Sequence, residues 1–249
     1  MAPVEVSKIR RVRRGVLEAI FDGVYGPGAR LPAERELAAQ MGVSRVCVRE
    51  AVQRLVHWGV VEIRQGSGAT VLPVERWNGG VLAPVLRYRL AQRDWSKLVP
   101  VVRDAFGMRR GLLMEFLGRA AAVLQPGDLH EARQRIDEAW AKRKNPAAFI
   151  HKDREVIPAV LRQARMLPSL WTLNTMADSY LAVMEVVGDE LRVPDNYLSA
   201  HLGMCEALEN GRREVAKAKF GSYLNELDRN ILTSLPAGLL EKLTERDWR

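Results

Sequence analysis

Residues 31–72 read LPAERELAAQMGVSRVCVREAVQRLVHWGVVEIRQGSGATVL. Pro32 suits the first turn of a helix, where its missing amide has no intrahelical partner to lose, so a helix is expected from about this point. Glu34 and Glu36 set negative charge at that N-terminus, and Leu37, Ala38 and Met41 supply an inward face. Gly42 stops the helix through the left-handed backbone that glycine adopts cheaply. Val43 packs, and Ser44 is a good N-cap for a second helix from Arg45 to about Trp58. There Val48, Ala51, Val52 and Leu55 recur at helical spacing and form one apolar face. Ser44, Arg45, Val46, Arg49 and Gln53 fall largely on the opposite or N-terminal side. Gly59 ends the helix. Val60–Arg64 and Ala69–Leu72 are strand-like and joined by Gln65-Gly66-Ser67-Gly68, the pattern of a hairpin. Two short helices around a glycine bend, followed by a hairpin, can place one helix in a major groove.

A third helix completes the unit upstream. Ile9, Val12, Val16, Leu17, Ile20 and Phe21 lie at near-helical spacing, while Arg10, Arg11, Arg13 and Arg14 spread round the other sides. Those arginines suit either a solvated face or phosphate contact. Gly23, Gly26, Pro27 and Gly28 break this helix, and Ala29 to Pro32 reads as extended chain. Downstream, Pro73, Asn78-Gly79-Gly80 and Pro84 interrupt a connector, and beyond Asp94 only helical periods remain. Helices are expected over about 95–124, 127–144, 147–165, 167–187, 194–210 and 212–233. Pro158 falls inside the third and predicts a kink or a shifted helix start. The fold class is mainly α: a winged helix-turn-helix of three helices plus a β-hairpin wing, joined to an all-helical bundle of about six helices. The expected domains are 1–74 for DNA binding, a linker over 75–94, a helical effector-binding and dimerisation domain over 95–235, and a tail over 236–249.

Composition narrows the class. The 249 residues suffice for two cores. Lys and Arg outnumber Asp and Glu by 38 to 30, and the resulting +8 favours a polyanionic partner. Half of that excess sits in residues 1–76, less than a third of the chain. Cys47 and Cys205 lie far apart without metal-ligand spacing, which argues for a reducing compartment and against a disulfide framework. The basic start has no long apolar core and no run is long enough to span a bilayer, so a cytoplasmic protein is expected. The sequence has no G-x-S-x-G, H-E-x-x-H, P-loop or paired-cysteine motif, and only His57, His130, His151 and His201 supply imidazoles. Neither an enzyme nor a cofactor is expected.

The combination LP-ER-LA, GVSR, VREA-Q-L, GV and QG-G across residues 7–72 resembles the DNA-binding domain of GntR-family bacterial transcription regulators. The helical remainder resembles the FadR subfamily, through Asp153 in AFIHKDREVI, LNTMADSY at Leu173 to Tyr180, His201 in YLSAHLGMCEAL, and Phe220-Gly221. It looks closer to the fatty-acid regulator than to the metal-binding branch. The resemblance implies a homodimer on a palindromic operator, with DNA affinity set by an effector in the bundle. Binding physics points the same way, because a lone winged helix needs a second copy on a twofold site.

Arg45 and Arg49, one turn apart, can project into a major groove and pair with guanine O6 and N7. Ser44 can cap the helix and donate to a phosphate. Val46 lies beside them, and Arg35 resembles a DNA-contacting position of the family. Gln65, Gly66 and Ser67 at the wing tip would lie over the minor groove or backbone, where glycine allows close approach. Arg30, Arg54 and Arg64 stay open between DNA contact and solvated or intradomain charge.

The expected effector-binding residues are Arg103, Arg109, Asp153, Trp171, Asn174, Tyr180, His201 and Tyr223. The arginines could meet an anionic head group, and the likeness suggests a long-chain acyl-CoA or another lipophilic or carboxylate metabolite. The metal-binding branch resembles a pattern of Asp, then His four residues on, then two later His. Here the second position is Ile157 and the last falls at or near Tyr223, so Asp153 and His201 alone do not close a zinc site. The alternative is a metal-dependent enzyme or metal-responsive sensor in the helical domain. A scaffold binding nucleic acid without base specificity is disfavoured by the compact recognition helix.

Overall fold

The computed structural model of the chain describes residues 3–64, 68–187 and 191–234. The chain divides into two compact units, Met1–Tyr88 and Arg89–Arg249. The wing-tip residues Gln65, Gly66 and Ser67 and the tail from 236 lie outside the described residues.

The first unit holds α1 (Pro3–Phe21), α2 (Glu34–Met41), α3 (Arg45–His57), β1 (Val61–Arg64) and β2 (Gly68–Val71). Helix α2 starts two residues later than expected: Ala33 is its N-cap and Pro32 precedes it. Glu36 Oε2 accepts from the Ala33 amide at 3.1 Å, satisfying a donor that the helix start would otherwise leave unpaired. Gly42 takes φ +62°, and the Val43 amide then reaches the Ala38 carbonyl at 3.0 Å, closing α2. Ser44 caps α3, its Oγ accepting from the Cys47 amide at 3.3 Å.

Strands β1 and β2 pair antiparallel, Val61 opposite Val71 and Arg64 opposite Gly68. The segment before α2 joins them. Gly28 N donates to Val71 O at 2.8 Å and Leu31 N to Ala69 O at 2.8 Å, with Arg30 bridged to Thr70. The wing is therefore anchored along a third extended segment. Val12, Val16, Leu37, Val48, Ala51, Val52, Leu55, Val60 and Val71 form one buried core beneath it. At about 25 cal/mol per Å² of apolar surface removed from water, these side chains are the main stabilising term of the unit.

Helix α4 (Leu82–Ala91) lies in the stretch read as a connector. Most of α4 belongs to the first unit, and the second holds α5 (Trp95–Ala120), α6 (His130–Ala141), α7 (Pro146–Asp153), α8 (Val156–Gln163), α9 (Leu167–Val187), α10 (Tyr197–Glu209) and α11 (Arg213–Ser234). The helix expected over 147–165 is two helices, α7 and α8, separated at Arg154 and Glu155. Pro158 sits in the first turn of α8, where its missing N–H breaks no intrahelical bond. Helix α10 packs on α11, α11 on α5, and α6 on α7, α8 and α10. Leu98, Leu117, Ile136, Phe149, Leu161, Met204 and Leu208 fill the space between them. No helix among the described residues is long and apolar enough to cross a membrane.

Candidate nucleic-acid interface and buried polar group

Helix α3 is divided lengthwise by its own sequence. Cys47, Val48, Ala51, Val52 and Leu55 are buried, while Ser44, Arg45, Val46 and Arg49 are exposed. Val46 is 64% exposed, unusual for a valine in a folded unit. Ser44 spends its acceptor on the cap. Arg35 is exposed one residue into α2. Arg49 is not free: its side chain engages Glu34 at the start of α2, Nη2 lying 3.0 Å from Oε2. The pairing was not legible in the sequence, where Glu34 reads only as helix-terminal charge. Arg64 pairs with Glu62 at 2.7 Å, favouring intradomain charge for that arginine. Arg13 stacks over the Trp58 ring at 4.9 Å. Burial lowers its pKa, and the nearby charges of Arg54, Arg10 and Arg87 lower it further.

The second unit buries a group of polar side chains drawn from five helices. Asp153 closes α7, Tyr197 and His201 lie on α10, Tyr223 and Asp228 on α11, Arg109 and Arg110 on α5, and Tyr180 on α9. Tyr223 donates its hydroxyl to Asp153 Oδ2 at 2.9 Å. His201 Nε2 stands 3.6 Å from Asp153 Oδ1, too far for a hydrogen bond. The other ring nitrogen, Nδ1, lies 2.8 Å from the Tyr197 carbonyl, which assigns it the donor role. Asp153 Oδ1 and the Tyr197 hydroxyl are both buried; they interact with each other, but neither makes a well-formed hydrogen bond among the described residues.

The electrostatics follow from that burial. Burial raises the Asp153 pKa against the opposing pull of His201 and Tyr223, and it lowers that of His201 against the attraction of Asp153. Both directions favour the uncharged forms, an acid facing a neutral imidazole. Tyr223 is likewise held well above the ordinary phenol range by burial and by Asp153.

Beside this group Arg109 donates to Asp228, and Arg110 Nη2 donates to the other Asp228 oxygen at 2.9 Å. Arg109 also lies over the rings of Phe106 (4.9 Å) and Tyr180 (5.2 Å). Burial opposes its charge, and Asp228 together with Tyr180 and Tyr223 outweighs that cost and raises its pKa.

The structure therefore gathers Arg109, Asp153, Tyr180, His201 and Tyr223 from the expected effector residues. Arg103 is half-buried on α5. Trp171 is 61% exposed and Asn174 is exposed, so neither joins the buried group. Trp171 and Tyr180 are about two and a half turns apart on α9, hence on opposite faces. Asp228 and Tyr197 were missed by sequence reasoning. An acid late in a polar helix and an aromatic at a helix start carry no signal that they meet. The residues also do not suit a zinc ion. Ile157 is apolar and buried, which leaves Asp153 Oδ1 and His201 Nε2 as the facing ligand atoms, fewer than the three or four protein ligands zinc takes. No group of three or more His, Cys, Asp or Glu positioned for a metal occurs among the described residues.

The family model for bacterial regulatory proteins, gntR family, matches residues 8–71. The chain is 46% identical over 221 residues to the Uxu operon transcriptional regulator of Escherichia coli, covering 80% of this chain and 83% of that protein. It is 34% identical over 153 residues to the uncharacterized HTH-type transcriptional regulator Rv0494 of Mycobacterium tuberculosis. That match covers 58% of this chain and spans 61% of the relative's length. A solved structure of Lar, which controls expression of the Listeria monocytogenes agr system, superposes with a TM-score of 0.56 at 18% identity. It covers 90% of this chain and 95% of that one, a likeness of fold alone. Both of these relatives are named as transcriptional regulators.

Proposed function

The chain belongs to the gntR family of bacterial regulatory proteins, and from that premise we propose that it is a cytoplasmic, DNA-binding transcriptional regulator. It acts as a homodimer on a palindromic operator, its DNA affinity set by a small molecule in the helical unit. The observation that carries the reading is the exposed N-terminal half of α3. Arg45, Val46 and Arg49 stand out from a platform whose other face is fully buried. Arg45 and Arg49 supply guanine-reading forks, and Val46 supplies an apolar surface suited to a thymine methyl. Ser44, Arg35 and the wing tip Gln65, Gly66 and Ser67 add backbone contacts.

The domains serve that division of labour: residues 1–74 bind DNA, 75–94 connect, and 95–235 sense the effector and dimerise. Within the family the helical unit is of the FadR type, supported by Asp153, Tyr180, His201 and Tyr223 standing around one buried polar group. Its ligand is a lipophilic or carboxylate metabolite, an acyl-CoA being one such molecule. Two buried polar atoms that make no well-formed hydrogen bond, Asp153 Oδ1 and the Tyr197 hydroxyl, are the ones a ligand's oxygen can satisfy. The effector works by binding one arrangement of the dimer more tightly than the other.

Fluorescence anisotropy tests the reading. The wild-type protein should bind a duplex recovered by selection from a randomised pool well above a scrambled duplex at the same salt. Equal affinity for both would reject it.

A further inference from the structure

Arg49 on α3 is engaged by Glu34, the first residue of α2, in one particular way. Its Nε donates to both carboxylate oxygens, at 3.2 Å and 3.3 Å, and its Nη2 donates to Oε2 at 3.0 Å. This is side-on pairing. It spends Nε–H and one Nη2 hydrogen; of the three N–H that remain, one from each terminal nitrogen lies along the adjacent, terminal edge. That free edge is a fork of the kind that pairs with O6 and N7 of guanine.

The pair is too exposed to matter much for stability, at 64% and 39% of the two side chains. Nor is Glu34 needed to cap α2, because Glu36 already binds the Ala33 amide. What the contact does change is the freedom of a long side chain. An unpaired arginine samples many rotamers and binds any phosphate it meets, and phosphate contacts carry no sequence information. A carboxylate beside it also repels the backbone of every duplex alike.

We infer that Glu34 is a specificity-determining positioning residue: it holds Arg49 with its guanine-reading edge outward and denies the other edge to phosphate. The inference rests on α3 being the helix that enters the major groove. Glu34 repels all DNA and offsets that loss only at the right base, so its contribution appears as a ratio.

The test uses the full-length protein and two duplexes of equal length, one selected from a randomised pool by the wild type and one scrambled. Glu34→Ala should bind the scrambled duplex more tightly and the selected duplex no better, lowering the affinity ratio by about tenfold. Glu34→Gln, which keeps an acceptor but loses the charge, should fall between. In an Arg49→Ala background, Glu34→Ala should lower the ratio no further. Tightening of both duplexes by the same factor would reduce Glu34 to a general repeller and overturn the inference, as would no change on either. If the wild type shows no preference for any selected duplex, the regulator reading fails first and takes this one with it. A wild-type preference that Arg49→Ala removes and Glu34→Ala leaves intact sinks the inference alone.

Discussion

The Tyr223 hydroxyl donates to Asp153 Oδ2 across 2.9 Å, joining α11 to the end of α7. A carboxylate inside an apolar bundle must be neutralised, paired or bound to metal. Here a phenol takes one oxygen and burial favours protonation of the other.

Removing the phenol tests how much that arrangement holds. Tyr223→Phe keeps the ring and strips the donor, leaving both Asp153 oxygens without a well-formed hydrogen bond in the buried group. Urea unfolding should show a loss of about 1–3 kcal/mol. A stability equal to the wild type would show that the bond contributes nothing.

The same residue decides the metal question. Wild-type protein incubated with zinc and then dialysed should retain less than one ion per chain by elemental analysis. The double substitution Ile157→His and Tyr223→His supplies two further imidazoles to Asp153 and His201, completing a four-ligand set, and should take up zinc. Stoichiometric metal in the wild type would restore the metal-sensor alternative.

Glu209 carries a pH dependence of definite sign. It accepts from Leu129 N at 2.8 Å and from Arg133 Nη1 and Nη2 at 2.8 Å and 2.7 Å. The Arg133 bonds, against the opposing effect of burial, hold its carboxyl below the ordinary range. A folded pKa below the unfolded one means the unfolded chain binds more protons in that window. The stabilisation is therefore complete above about pH 4.3 and is lost as pH falls through the folded value. Glu209→Gln should cost about 1.5–3 kcal/mol near neutral pH, and the gap to wild type should narrow on acidification. A gap constant from neutral to acid pH would contradict the assignment.

Gly59 is required twice over. Its φ is +70°, and a Cβ there would stand 2.5 Å from the Arg76 carbonyl oxygen. Gly59→Ala should destabilise the first unit by more than about 1 kcal/mol, read as a lowered thermal midpoint.

On DNA, Arg45→Ala should weaken binding to a selected duplex by about tenfold or more, and binding to a scrambled duplex far less. Equal weakening on both would make Arg45 a phosphate contact instead.

Much of this molecule was legible in its sequence because the deciding signals are local. Gly42 and Ser44 mark a bend whatever surrounds them, and the spacing of Val48, Ala51, Val52 and Leu55 assigns a buried face before any partner is known. The bounds expected for the helix over 167–187 are those observed. The division of 147–165 into two helices was half legible, since Pro158 announced a shifted start but not that the chain would bend at Arg154. The extended segment before α2 was read correctly, yet its pairing with β2 was not, because strand pairing is a relation between distant residues.

Sequence alone determined that three helices and a hairpin would form, which face of α3 would be buried, and hence which arginines would be exposed. Helix periodicity and backbone sterics act within a few residues, so the order of side chains suffices. Only the packed structure decided what those exposed and buried groups meet. Arg109 pairs with Asp228 more than a hundred residues away, His201 faces Asp153 across two helices, and Arg49 is turned by Glu34. Charge and hydrogen bonding act through space at a few ångströms, and nothing in the linear order says which side chains will be brought that close.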